Sequence, residues 1–385
     1  MDEAVAQAAA AADAAAAAGN LPEAHRLLGE AAERAGSDPG LWLKYAAISR
    51  ALRRPHVALA AVNRALEANP LDFTALLLKA SIVTTLDEAH AGEAWAAAFA
   101  QRPEGPVAPA IEGVLAQGRA VHDAWLARRE QALAQAMAPA EARAGAEEQA
   151  RIARFRSNSL RRTRAYHSNP THFAFPGLVE HEFHPRSAFP WLAMLEAATE
   201  TISVELQDVL AAERTELVPY IQYQSHEPLD QWRPLNHNKD WTAVHLWRNG
   251  ERVEANARHC PQTLALLEQL PQPQIPGAGP NAMFSLLAPG THIPPHVGYN
   301  NARLVCHLPL VVPEGCWFRV GAETRHWRRG EAFVFDDTIE HEAMNPTDQL
   351  RIVFIFDVWH PGLSAAERDA VAALISCEGG AGGGL

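Results

Sequence analysis

Leu350-Arg351-Ile352-Val353-Phe354-Ile355-Phe356 is the stretch on which the fold turns. Six of its seven residues are apolar, and five are β-branched or aromatic. Side chains alternate along a strand, so Arg351, Val353 and Ile355 share one face and Leu350, Ile352, Phe354 and Phe356 the other. A strand apolar on both faces belongs inside a sandwich or barrel. Working outward, further strands are expected at 282–287, 303–312, 316–320, 332–335 and 342–344, with this one at 350–358. Turn residues part them: Pro289-Gly290, Pro313-Glu314-Gly315, Arg329-Gly330, Asp336-Asp337 and Asn345-Pro346. Short, closely spaced strands predict a β-sandwich or jelly-roll barrel. A helical run at 190–211 would buttress it from outside.

The first 150 residues read differently. Alanine and other helix formers dominate. Asp38-Pro39 is echoed by Asn69-Pro70 and Arg102-Pro103, spacings of 31 and 33 residues. Helical runs at 41–52 and 55–68 lie between, with Leu59, Val62, Ala65 and Leu66 at helical spacing. A helix-pair unit of about 34 residues resembles the tetratricopeptide repeat, whose solenoids offer concave surfaces to a protein or peptide partner. A plain helical bundle gives the same pattern. A long helix from 116 is expected to lead into a basic segment with Arg151, Arg154, Arg156, Arg161, Arg162 and Arg164. This is either a contact for an acidic partner or a solvated linker face packed on acidic parts of the chain. The expected divisions are helical repeats over 1–115, a helical linker over 116–165, a β domain over 166–376 and a flexible Gly-rich tail over 377–385.

Composition narrows the function. The chain has 385 residues, 48% hydrophobic and 20% charged, with 10 Trp, which excludes a wholly disordered protein. A formal net charge of −12 argues against a general nucleic-acid binder. Four scattered cysteines form no CxxC pair, so neither a disulfide framework nor a zinc knuckle is indicated. The acidic start Met1-Asp2-Glu3 lacks the basic segment of a secretory signal, and no run of about 18 apolar residues occurs. A cytoplasmic, membrane-free location is the expectation.

Several polar residues interrupt the apolar strands. His296, in Pro294-Pro295-His296-Val297-Gly298, and His341, in Glu340-His341-Glu342, each sit where a barrel wall meets its mouth. Two neutral imidazoles converging there suit a first-row divalent metal, although a lone histidine is more often structural. Arg351 is costly in an apolar strand unless an anion meets it: a bound carboxylate, or a protein carboxylate such as Asp348. Ser285, inside Ala282-Met283-Phe284-Ser285-Leu286-Leu287, wants a partner as well, either a bound carboxylate or a backbone carbonyl. Arg303, Val305 and His307 share one face of their strand, as a cavity lining would, while the opposite face is apolar.

These pieces, in order, resemble the aspartyl/asparaginyl β-hydroxylase family of iron(II)/2-oxoglutarate dioxygenases. The run from Phe284 to Pro361 carries the likeness, including Pro289-Gly290-Thr291-His292, Pro295-His296-Val297-Gly298, Phe335-Asp336-Asp337, Glu340-His341-Glu342 and Asp357-Val358-Trp359-His360-Pro361. Weaker similarity reaches back to Phe175-Pro176-Gly177 and Asp240-Trp241. The resemblance implies a double-stranded β-helix, and Fe(II), 2-oxoglutarate and O2 as cofactors. It also implies hydroxylation of an aspartyl/asparaginyl-type side chain in a peptide or protein, or of a related amino-acid-like substrate, with release of succinate and CO2. His296 and His341 match the iron ligands. Ser285 and Arg351 match the holders of the far carboxylate of 2-oxoglutarate, and His307 a residue near its 1-carboxylate. Trp241 matches an aromatic beside the active site, and Arg303 the first arginine of an Arg-x-Arg-x-His pattern. Tyr299 is a further channel wall, or else a surface aromatic. Gly298 stands where most such enzymes have a carboxylate ligand, as this family has it. Val305 replaces the second arginine, which puts an aspartyl preference in doubt. A halogenase using the open Gly298 position, and a non-catalytic helical-repeat scaffold with a degenerate barrel, are the competing readings.

Overall fold

A computed structural model describes residues 3–212, 217–222 and 230–379. The chain divides into two compact units, Met1–Arg162 and Thr163–Leu385.

Among the described residues the first unit is helical: α1 (Glu3–Ala17), α2 (Leu21–Ala35), α3 (Pro39–Ala51), α4 (Pro55–Ala68), α5 (Phe73–Leu86), α6 (Glu88–Ala100), α7 (Pro109–Glu141) and α8 (Ala146–Ser159). The spaced prolines mark helix starts. Pro39 and Pro55 open α3 and α4, where the missing N–H costs nothing. Asp38 and Asp72 cap α3 and α5 by accepting from the backbone N–H of Leu41 and Ala75 at 3.2 and 2.7 Å. The helices pack in successive pairs, α1 on α2, α3 on α4 and α5 on α6. The second helices begin at residues 21, 55 and 88, a period near the expected one. Two close approaches need glycine. A Cβ on Gly92 would overlap Trp125, and one on Gly118 would overlap Trp95.

The division expected at 115 falls inside α7, which packs on α6 and stays with the helical unit. The long helix expected from 116 is two helices, parted by a turn at 142–145 that ends in Gly145. Part of the basic segment lies in α8 and folds back on acidic residues of α7: Arg156 pairs with Glu141 at 2.6 Å and Arg162 with Glu130 at 2.5 Å. That is the linker-face reading of these arginines.

The second unit contains α9 (Leu192–Ala197), α10 (Thr199–Ala211), β1 (Val218–Pro219), β2 (Trp241–Arg248), β3 (Glu251–Arg252), α11 (Glu254–Ala257) and α12 (Pro261–Leu267). Then follow β4 (Ala282–Leu287), β5 (His292–His296), β6 (Arg303–Val311), β7 (Trp317–Val320), β8 (Glu323–His326), β9 (Phe333–Phe335), β10 (His341–Met344), β11 (Arg351–Trp359) and α13 (Ala365–Cys377). Among them are a seven-stranded sheet, β1-β2-β4-β11-β6-β9 with β3 on β2, and a four-stranded sheet, β5-β10-β7-β8. All their pairings are antiparallel. The deciding strand, β11, lies between β4 and β6, and its residues are buried throughout. One face of the large sheet (Phe284, Leu304, Cys306, Phe354, Phe356) packs with Leu195, Ile202 and Leu206 of the helices and Leu264 of α12. The other face (Ala243, Met283, Val305, Val353, Ile355) packs with Ile293, Phe318, Val320 and Ala343 of the small sheet. Burying each phenylalanine is worth about 2–3 kcal/mol.

Several bounds differ from expectation. The run 190–211 breaks at Ala198 into α9 and α10. His296 closes β5, a strand absent from the expected set. β5 carries Pro294 and Pro295 and sits at a sheet edge, where missing N–H groups cost no ladder bonds. Cys377, expected in the tail, closes α13, and residues 380–385 of the Gly-rich tail lie outside the described residues.

Candidate active site

Strand alternation and register bring the predicted residues to one cavity of about 740 Å³ between the two sheets. Trp241, Ser285, His296, Tyr299, Arg303, His307, His341 and Arg351 all line it. His296 and His341 are direct cross-strand partners on β5 and β10, with ring centroids 4.0 Å apart. Each Nδ1 lies against a carbonyl two residues upstream, Pro294 at 2.8 Å and Ile339 at 3.0 Å. A carbonyl only accepts, so both Nδ1 atoms carry the proton and both Nε2 atoms keep a lone pair. Burial pushes His296 down to about 4 and His341 well below the usual histidine range. Near pH 7 the pair is therefore neutral, in the tautomer that binds a metal through Nε2. Among the described residues no group of three or more His, Cys, Asp or Glu side chains forms a metal cluster.

At one end of the cavity Arg351, 1% exposed, lies diagonal to Ser285, whose direct partner across β11 and β4 is Val353. Its Nη1 approaches the Ser285 carbonyl and hydroxyl oxygens, each at 3.4 Å, and its Nε is buried without a partner. No described carboxylate pairs with it, Asp348 included. Burial lowers it to about 10, so it stays a cation at neutral pH. Its guanidinium lies 4.6 Å from the Trp327 ring centre, a cation–π contact. Trp241 Nε1–H donates to Ser285 Oγ at 3.0 Å, and Tyr220 stacks on Trp241 at 3.8 Å. The Ser285 hydroxyl thus accepts from Trp241 and retains its own proton to donate.

His307 lies among Phe318, Phe333 and Phe335. Burial and the nearby Arg351 hold it well below the usual range, so it is neutral. Its Nδ1 is buried without a partner. An orphaned buried N–H is rarer than an orphaned lone pair, which places the proton on Nε2. Tyr299 packs at a tilt against His172, ring centroids 4.5 Å apart. Arg303 is held between Asp337 Oδ2 at 3.9 Å and Asp357 Oδ2 at 3.7 Å. Asp357 in turn accepts from the Asn281 backbone and side-chain N–H groups at 2.9 and 3.0 Å.

Asp337, Trp232, Trp327 and Tyr220 are site residues that went unassigned in the sequence reading. Asp337 is the foremost: a Cβ on Gly298 would overlap its carboxyl group, so Asp337 fills the space a side chain at 298 would take. Burial raises Asp337 to about 7, with Arg303 opposing the shift. Trp232 stands edge-on to His296 at 4.9 Å, and Trp327 flanks Arg351. The doubled aspartate before His341 was the available signal for Asp337. Trp232 has none, because no strand pattern surrounds it.

Residues 196–361 match the profile of the family described as Aspartyl/Asparaginyl beta-hydroxylase. This stretch is similar to that family. The match includes seven of the eight predicted site residues on β-strands and the eighth, Tyr299, in the loop after β5. Among hydroxylase relatives, human "Aspartyl/asparaginyl beta-hydroxylase" is 40% identical over 141 residues, 36% of this chain and 18% of that protein. Human "Aspartate beta-hydroxylase domain-containing protein 2" is 40% identical over 135 residues, 34% of this chain and 37% of the other. "Ornithine lipid ester-linked acyl 2-hydroxylase" of Rhizobium tropici is 36% identical over 183 residues, 47% and 61% of the respective chains. The chain thus spans between about a fifth and three fifths of these relatives. Among solved structures, the yeast Sti1 "TPR2B-domain:pHsp70-complex" aligns with 31% of this chain and 98% of its own, at 23% identity and a TM-score of 0.28. Among the described residues no helix is long and apolar enough to cross a membrane.

Proposed function

We propose that the cavity is the active site of an iron(II)/2-oxoglutarate-dependent hydroxylase acting on a side chain of a peptide or protein, or on an amino-acid-like molecule. We read the two facing sheets as a double-stranded β-helix. One observation carries the proposal: two neutral imidazoles side by side share a cavity with a buried guanidinium that no described carboxylate neutralises. The donor set fits the groups. Two Nε2 lone pairs suit Fe(II), and Arg351 with the Ser285 hydroxyl suits a carboxylate.

His296 and His341 would hold the metal. Arg351 and Ser285 would hold the far carboxylate of 2-oxoglutarate, with Trp241 fixing the Ser285 oxygen. His307 Nε2–H would donate toward the near carboxylate. Tyr220, Trp232 and Trp241 wall the cavity and exclude water. When bound, iron with 2-oxoglutarate and O2 supplies the oxidation: CO2 leaves the keto acid, one oxygen atom enters the new succinate carboxylate and the other a substrate C–H bond. Asp337 behind Gly298 speaks against the halogenase, because its carboxyl group disfavours a halide there. The names of the relatives range from aspartyl side chains to an ester-linked acyl group, so substrate is the variable part of this family. The paired helices of the first unit are proposed as the docking surface for a protein partner.

The test is succinate formation dependent on both Fe(II) and 2-oxoglutarate, with His296→Ala and His341→Ala as controls. Turnover is expected in the natural chain and at least 100-fold less in each variant. No 2-oxoglutarate-dependent succinate, or equal amounts in the variants, would remove the proposal.

A further inference from the structure

We propose that the group presented for hydroxylation is uncharged, an aliphatic or carboxamide segment rather than a carboxylate. The inference rests on the hydroxylase reading and concerns the cavity end remote from Arg351.

The floor of the cavity is the inner face of the large sheet. Arg351 and Asp357 lie on that face at opposite ends of β11, about 20 Å apart at the usual rise per residue. The two ends differ in charge. At the first, Arg351 has no described carboxylate partner, and a keto diacid is matched. At the second, Val305 pairs across the strands with Asp357, and Arg303 follows two residues before it on the same face of β6. Arg303 is already bracketed by two buried carboxylates, Asp337 at 3.9 Å and Asp357 at 3.7 Å. Two buried carboxyl groups already engage Arg303, so that end offers no spare positive charge. Asp337 Oδ1 is buried and accepts no hydrogen bond. Between the ends the floor is Ile355 and Val305, both apolar.

Other charges on the lining do not change this balance. Glu340 is tied to Arg164 and Arg319, each at 3.0 Å. Arg248 ends β2 on the exposed rim, where water and salt screen it. A substrate carboxylate at the reacting carbon would lose its hydration and find there, among the described residues, no buried guanidinium that is not already held by carboxyl groups. A methylene loses nothing on entry and a carboxamide far less than a carboxylate, and either gains contact with the Tyr220–Trp241 stack and Trp232.

The test uses the full chain loaded with Mn(II) and 2-oxoglutarate under anaerobic conditions. Paramagnetic relaxation of the protons of N-acetyl-aspartate amide, N-acetyl-asparagine amide and N-acetyl-leucine amide is compared. At least one uncharged probe is expected to relax ten-fold or more faster than the aspartyl probe. Val305→Arg, which adds a cation to the second end, is expected to narrow or reverse that ratio. Aspartyl relaxation equal to or above that of both uncharged probes, or no relaxation of any of the three, overturns the proposal. The protons of 2-oxoglutarate serve as internal control. If Mn(II) leaves them unrelaxed, the hydroxylase reading fails and this one with it. If they relax while the aspartyl probe is preferred, only the present proposal falls.

Discussion

Arg351 shows how a single side chain trades stability for binding. Its guanidinium is taken out of water and given aromatic and hydroxyl neighbours but no described anion. Replacing such a charge with an apolar residue of similar volume is commonly neutral or stabilising. Arg351→Met is therefore expected to leave the unfolding free energy of the metal-free protein unchanged, or to raise it by about 1 kcal/mol. The same change removes a charge-assisted anchor worth about 2–5 kcal/mol, so the dissociation constant for 2-oxoglutarate rises about 30-fold or more. Denaturant titration and binding calorimetry measure the two halves; an unchanged affinity takes Arg351 out of the cosubstrate site. Gly298 poses the complementary question of space. A methyl group there would overlap the Asp337 carboxyl group. Gly298→Ala is expected to cost about 1–3 kcal/mol in chemical unfolding, the usual range for overpacking. A variant as stable as the natural chain would mean that Asp337 yields easily.

At the scale of elements, α7 allows a paired comparison within one helix. Glycine in a helix interior costs about 1 kcal/mol relative to alanine. Gly113 has open space around its Cβ direction, so Gly113→Ala is expected to stabilise the helical unit by about 0.5–1 kcal/mol. Gly118 faces the Trp95 ring, so Gly118→Ala is expected to destabilise it by about 1–3 kcal/mol despite the better propensity. Opposite signs in thermal unfolding are the result to look for; equal signs would show that Trp95 does not hold that position. The strands divide the same way by legibility. β4, β6 and β11 are buried runs whose composition declared them almost to the residue. β5 and β8 are edge strands with proline or polar residues, and β2 falls in a stretch rich in His and Trp. What made them strands was a neighbour to pair with, which no local pattern encodes.

Across the whole molecule, buried histidines couple stability to pH. Burial holds His184 at about 3 and His245 at about 4, below the usual value near 6.5. The unfolded chain takes up these protons first, so this stability is complete above pH 6.5 and is lost as pH falls toward the folded values. Asp336 and Asp337, raised by burial to about 6 and about 7, act in the opposite sense, since their contribution is lost as pH rises through those values. His184→Phe is expected to flatten the dependence of unfolding free energy on pH between 4 and 6 by about 1.4 kcal/mol per pH unit. An unaltered slope would show that His184 is protonated in the folded protein. Composition and the period-two alternation of side chains, properties of neighbouring residues, were enough to part the helical half from the strand-rich half and to mark β4, β6 and β11. They also sorted Arg303, Val305 and His307 to one face and Leu304, Cys306 and Leu308 to the other. Which strands lie side by side was not available from them. The meeting of His296 with His341, the bracketing of Arg303 by Asp337 and Asp357, and the filling of the Gly298 gap from 39 residues downstream all depend on register between distant segments. Register is set by the closing of the two sheets on a common core, and that closure exists only in three dimensions.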